Sequence, residues 1–211
     1  MRTAITASLA VAALAGCGGG GDDESSPELP AGCTEVSPPA PKAVEVPAPN
    51  ETLSGPAAAV VETSCGTFEI ALDTDRAPKT TSSFAYLAGE GVYDETLFHR
   101  IVPGFVIQGG DPSGSGRGGP GYFSDEQPPQ NLSYLRGIVA MAKSPTEPPG
   151  RSGSQFFVVT QPDAGLTPDY ALLGRVVSGM EVVDRIEELG SADGKPKAPV
   201  LIRRITIEGG G

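Results

Sequence analysis

From Ala57 onward the chain never sustains an apolar run for long; Gly, Pro or a polar turn cuts each one after a few residues. A chain punctuated in this way builds short strands and turns rather than long helices. Ala57 to Thr63 and Gly66 to Leu72 read as a hairpin around Ser64-Cys65-Gly66, with Phe68, Ile70 and Leu72 on one face. Leu97 to Val102 and Phe105 to Gln108 read as strands flanking Pro103-Gly104, and Ile138 to Ala142, Phe156 to Thr160, Leu172 to Val177 and Val200 to Ile207 as further strands. Only two segments have helical spacing. One starts at Pro78 and runs through Phe84 and Leu87 to Gly89; the other carries Val182, Val183, Ile186 and Leu189 and is closed by Gly190. Many short strands with two helices predict a mainly β fold, a closed antiparallel barrel plugged at its ends by the helices. The longest connection runs from Asp111 to Arg136, and long loops in compact domains usually serve function.

Before Ala57 the composition changes. Residues 18–56 are rich in Pro, Ala and Gly and poor in large apolar side chains, so they are expected to stay disordered. They hold seven acids and one base, a net −6. Residues 57–211 hold 19 acids and 13 bases, also −6, and Arg2 brings the total to −11. No basic stripe marks a nucleic-acid surface.

Residues 1–16 have the form of a secretory signal, one Arg followed by a short apolar run ending Leu14-Ala15-Gly16-Cys17. This ending resembles the bacterial lipoprotein signal, which implies that Cys17 is lipidated; an ordinary secretory signal with a fortuitous Cys is the alternative. Residues 17–56 then form an acidic tether and residues 57–211 the folded domain, anchored by lipid on the extracytoplasmic face of a cell membrane. Of the three cysteines, Cys33 and Cys65 remain as an even pair. A disulfide is expected between them in an oxidising compartment, with two free thiols as the alternative.

Several chemistries are excluded. Gly114-Ser115-Gly116-Arg117-Gly118-Gly119 matches GxGxxG, but Pro120-Gly121 follows where a dinucleotide site needs a helix. His99 is the single histidine, so a His-rich metal site is out of reach, and no Ser lies in a nucleophile elbow. We expect neither metal nor cofactor.

The fourteen residues Phe98-His99-Arg100-Ile101-Val102-Pro103-Gly104-Phe105-Val106-Ile107-Gln108-Gly109-Gly110-Asp111 resemble the signature of the cyclophilins. The resemblance continues through Gly137-Ile138-Val139-Ala140-Met141-Ala142, Gly153-Ser154-Gln155-Phe156-Phe157-Val158-Val159-Thr160, Leu166, Leu173-Gly174-Arg175-Val176 and Gly179-Met180. It implies an eight-stranded barrel with two helices and a peptidyl-prolyl cis-trans isomerase that aids folding of secreted or cell-surface proteins.

The chemistry it implies is simple. The Xaa-Pro amide resists rotation by roughly 18–20 kcal/mol of resonance. Twisting the bond localises a lone pair on the prolyl nitrogen, and a donor aimed there stabilises the twisted state over the planar one. Arg100 is the expected donor, a fork that stays protonated. Gln108 is its expected catalytic partner. Phe105, Val106, Ala142, Phe157, Leu166 and Tyr170 are the expected substrate-binding side chains around the proline ring. Gln155 and the backbone at Lys143 are expected to hold the substrate chain. Phe105 and Phe157, taken alone, would read as ordinary core.

The sequence departs from the family at three places. Gly165 stands where many cyclophilins carry Trp, Tyr170 where His is common and Lys143 where Asn is common. The first puts binding of the family's inhibitor cyclosporin in doubt. The expected partners are proline-containing polypeptides, met by a monomer. The competing reading is a scaffold or chaperone that holds proline segments in the same groove without catalysis; a purely structural lipoprotein would not need these residues in register.

Overall fold

A computed structural model of the protein describes residues 28–210. The expected signal segment, the lipidated Cys17 and the first part of the tether lie outside the described residues.

The chain opens its main sheet with the hairpin β1 (Ala57–Thr63) and β2 (Gly66–Leu72). Side chains alternate across a strand, so Ala59, Val61, Phe68, Ile70 and Leu72 point inward together. Helix α1 (Pro78–Gly89) follows, then β3 (Thr96–Leu97), β4 (Arg100–Val102), β5 (Val106–Gly109), β6 (Ser124–Asp125) and β7 (Ile138–Met141). The remainder is β8 (Arg151–Ser152), β9 (Phe156–Val159), β10 (Leu172–Ser178), α2 (Met180–Glu187) and β11 (Leu201–Gly209). Nine strands form one strongly curled half-barrel sheet in the order β3-β11-β1-β2-β10-β7-β9-β5-β4, and every pair in it is antiparallel.

The expected single strand from Leu97 to Val102 is divided. Phe98 turns its ring into the core and donates its N–H to Val200 O at 2.9 Å, so β3 pairs with β11 while β4 pairs with β5. The hydrogen-bonded ladder therefore has two end strands, adjacent in sequence. A bridge between Leu97 and Asp111 links β3 to the chain just beyond β5.

The core lies inside the curl. Phe84 from α1 packs on Tyr93 with ring centroids 4.8 Å apart and meets Phe156 edge-on at 5.6 Å; Phe98 meets Phe156 at 6.2 Å. Burying each such side chain contributes about 1.5–3 kcal/mol. Val182, Val183 and Ile186 bury one face of α2. Its N-cap is Gly179 at φ +77°, where a β-carbon would stand 2.5 Å from Thr67 O, so only glycine fits.

Helix α1 has no side-chain cap of its own. Glu126, 46 residues on, accepts the N–H groups of Lys79 at 3.1 Å and Thr80 at 2.7 Å. That carboxylate satisfies orphan donors at the positive end of the helix and anchors the long loop beyond Asp111. A small sheet of β6 and β8 anchors it again, with Arg151 donating to both oxygens of Asp125 at 2.8 and 2.9 Å. These two-residue strands carry no periodicity, and sequence reading leaves them as loop.

Residues 28–56 have no regular secondary structure, as their composition implies, but over this span the expectation of a disordered tether is corrected. The segment is a strap along the domain. Thr34 N donates to Ser64 O at 2.8 Å, Lys42 N to Pro112 O at 2.9 Å, Val46 N to Pro120 O at 3.0 Å and Leu53 N to Ser82 Oγ at 2.8 Å. Leu29, Val44, Val46 and Leu53 pack against the core. Its prolines hold the chain extended beforehand, so laying it down loses less entropy than for an ordinary coil. Cys33 and Cys65 are joined by a disulfide, S–S 2.02 Å, as expected, which staples the strap to the β1–β2 turn.

Candidate active site

Three neighbouring strands, β4, β5 and β9, bring the expected residues together. Antiparallel register sets Arg100 opposite Gln108 and Gln108 opposite Phe157. Arg100 Nη1 donates to Gln108 Oε1 at 3.3 Å, Gln108 Nε2 to Gln155 Oε1 at 3.0 Å, and Gln155 Nε2 to Gly118 O at 3.0 Å. Each amide in this row donates on one side and accepts on the other, so its orientation is determined by its neighbours. The guanidinium carbon also lies 5.8 Å from the centre of the Phe105 ring, a cation–π contact. Arg100 is thus held on two sides while remaining partly open to solvent.

The apolar half of the site is a cluster separate from the main core. Val106, Tyr134, Ala140, Phe157 and Val159 are buried in it, and Phe105, Ala142, Leu166 and Tyr170 pack against them partly exposed. Val106 at 2% and Phe157 at 4% exposure form the floor. Phe105, Ala142, Leu166 and Tyr170 offer the accessible surface. Phe157 and Tyr170 meet edge to face, 5.4 Å between centroids and 89° between planes.

Tyr134 was not legible as part of this site. Its hydroxyl donates to Tyr170 O at 2.6 Å and accepts from Tyr170 N at 3.0 Å, and its ring meets both Phe157 and Tyr170. Burial drives its pKa up to about 12, so it remains a neutral donor. It lies in the Asp111–Arg136 loop, where no periodic pattern singles it out.

Beyond Ala142 a groove of about 700 Å³ opens, and Gln108, Ala142, Lys143 and Gln155 lie along it. The Lys143 ammonium turns aside, donating to Glu147 O at 3.1 Å and sitting 5.6 Å over the Tyr170 ring. The loop wall is built on Asp111. Its buried carboxylate accepts from Ser113 N at 2.7 Å, Ser113 Oγ at 2.8 Å, Gly116 N at 2.6 Å and Gly118 N at 3.1 Å. Burial alone would raise its pKa, but these hydrogen bonds together outweigh it and hold the group below the usual carboxylate range. A β-carbon at Gly118 would fall 2.1 Å from Asp111 Oδ1. The glycine therefore lets the loop fold tightly enough to present Gly118 O to Gln155.

His99 sits under this loop with both ring nitrogens buried and without a hydrogen-bond partner. Burial lowers its pKa, against a smaller opposing pull from the Asp111 carboxylate. Neutral and shielded, it packs rather than reacts. Among the described residues no three His, Cys, Asp or Glu side chains gather as a metal cluster, and no helix is long and apolar enough to cross a membrane.

Residues 58–207 match the family described as cyclophilin type peptidyl-prolyl cis-trans isomerase/CLD. A peptidyl-prolyl cis-trans isomerase-like 1 of Gibberella zeae is 39% identical over 155 residues, covering 71% of this chain and 94% of the relative. A peptidyl-prolyl cis-trans isomerase-like 2 of Cryptococcus neoformans is 38% identical over 157 residues, 71% of this chain, which spans only 27% of that longer protein. Among solved structures, a Cryptosporidium parvum cyclophilin type peptidyl-prolyl cis-trans isomerase, crystallised in the presence of the dipeptide Ala-Pro, superposes with a TM-score of 0.67 at 32% identity. That match covers 72% of this chain and 99% of the other. With a family match across most of its length and the Arg100–Gln108–Gln155 row set beside an aromatic pocket, the chain belongs to the cyclophilin type peptidyl-prolyl cis-trans isomerase family.

Proposed function

We propose that the protein catalyses cis–trans isomerisation of Xaa-Pro bonds in polypeptide clients, with Arg100 as the donor to the prolyl nitrogen. The observation that carries this is the oriented row from Arg100 through Gln108 and Gln155 to Gly118 O, at the edge of the pocket formed by Phe105, Phe157, Leu166 and Tyr170. A proline ring seated against Phe105 and Leu166 would place its nitrogen near the guanidinium that Phe105 and Gln108 hold. No proton moves and no covalent intermediate forms. The protein supplies a dry apolar seat and a donor that favours the twisted amide. The Ala-Pro dipeptide used with the Cryptosporidium relative supports a proline-containing ligand. Gln108, Ala142, Lys143 and Gln155 would hold the chain that precedes the proline.

The same reading treats β3 and β4 as one kinked strand, which would close eight strands into a barrel through the Leu97–Asp111 bridge. It also makes the protein a monomeric lipoprotein, carrying acyl chains on Cys17 at the extracytoplasmic face of a membrane and aiding the folding of secreted or surface proteins. The Leu14-Ala15-Gly16-Cys17 ending and the paired Cys33 and Cys65 support this location. A protease-coupled assay on an Xaa-Pro peptide, run with the wild type and with Arg100→Ala, tests the activity. Accelerated isomerisation that needs Arg100 is expected; tight proline-peptide binding with no acceleration would leave a scaffold instead.

A further inference from the structure

The groove beyond Ala142 is walled on its outer side by the strap. Val44 and Glu45 line it where the strap lies against the Asp111–Arg136 loop. The strap is seated firmly there. Val46 N bonds Pro120 O at 3.0 Å, and a β-carbon at Gly121 would lie 3.2 Å from the Glu45 Cα. Val44 packs against the core while Glu45 is exposed.

The charges along the groove are not equivalent. The Lys143 ammonium is engaged by backbone carbonyls, and Glu147 accepts the Ser144 N–H at 2.5 Å. Glu45 on the strap and Arg117 on the loop also line the groove, and among the described residues neither takes part in an ion pair. Val44 and Tyr122 add apolar surface to the groove that Glu45 lines, the kind of wall along which the aliphatic stem of Lys or Arg lies, while the Phe123 ring already carries the Arg151 guanidinium at 5.4 Å. The net charge of −11 draws cationic segments toward the whole molecule.

We propose that the strap is part of the client-binding site, and that Val44 and Glu45 make the groove select Xaa-Pro segments flanked by a basic side chain. The inference rests on the isomerase reading above.

The test uses the full chain and two pairs of Xaa-Pro peptides that differ only in Lys against Glu, upstream of the proline in one pair and downstream in the other. In the wild type the ratio of kcat/KM, Lys peptide over Glu peptide, exceeds one in at least one pair and shrinks as salt is added. Glu45→Lys lowers that ratio about threefold or more, the range set by an exposed ion pair turned into a repulsion. Glu45→Gln lowers it by less. Melting curves check that both variants fold, and a ratio between two peptides on one protein does not depend on how much of it is folded. An active wild type without charge preference, or an unchanged ratio in Glu45→Lys, overturns this inference alone. A wild type inactive on every peptide overturns the isomerase reading and this inference with it.

Discussion

Replacing Arg100 by alanine removes the charged donor proposed for the prolyl nitrogen and leaves most of the fold untouched. A hydrogen bond from a charged group contributes about 1.5–3 kcal/mol. Arg100 is partly solvent-exposed on β4, so it falls short of the ~3–4 kcal/mol that a donor supplies in a fully dry site. At about 1.36 kcal/mol per factor of ten, kcat/KM should fall roughly ten- to 150-fold. The cost to stability is smaller. The variant loses one hydrogen bond at 3.3 Å to Gln108 and the contact at 5.8 Å with Phe105. These amount to about 1 kcal/mol, or a few degrees in Tm. Arg100→Lys keeps the charge but not the fork, and should recover only part of the activity. The assay is protease-coupled isomerisation at several peptide concentrations, with a thermal melt beside it. A folded Arg100→Ala variant with kcat/KM within twofold of wild type would refute the mechanism.

Three further outcomes follow from the same geometry. Replacing both Cys33 and Cys65 by Ser releases a loop closed over 32 residues, a loss of about 3–4 kcal/mol from chain entropy; urea unfolding without a lower midpoint would argue against the staple. His99 is held neutral by burial, below its usual 6.5, so its contribution to stability is present above about pH 6.5 and is lost as pH falls, when the unfolded chain takes up the proton first. Asp111, held below its usual 3.8, acts in the same direction at lower pH. His99→Gln should flatten the loss of stability between pH 7 and 5, and an unaltered slope would count against a buried neutral imidazole. Cyclosporin should bind weakly, because Gly165 supplies no side chain where many cyclophilins carry Trp, and a β-carbon there would have nothing within 4 Å. Nanomolar affinity in a titration would contradict this.

Local pattern carried a large part of this protein. A short apolar run located β1, period-two alternation located β2, and the Pro78 start and Gly89 end located α1, because these signals act within a few positions along the chain. The Phe98–Asp111 segment pointed to Arg100, Gln108 and Phe105 through its resemblance to the cyclophilins, and the turn at Pro103-Gly104 folds β4 onto β5 so that Arg100 faces Gln108. The segment did not reveal what holds them. Gln155 reaches Gln108 from 47 residues away and Gly118 O from 37, and Glu126 caps α1 from 46. Such contacts leave no spacing in a single sequence to detect.

The strap is the clearest case. Composition placed residues 28–56 outside the domain because they hold too few large apolar groups to form a core of their own. Tertiary structure decided otherwise, since Leu29, Val44, Val46 and Leu53 need only cover a core that already exists. Tyr134 makes the same point from within the loop, where only the closed fold sets it against Phe157 and Tyr170. Local signals were enough for the hairpin strands and the two helices, while β6, β8 and the break between β3 and β4 left none, and Arg100 stood out only through the resemblance of its segment to the cyclophilins. How that guanidinium is oriented, and which groups line the groove beside it, came only from the tertiary structure, because both depend on residues that become neighbours only when the sheet curls.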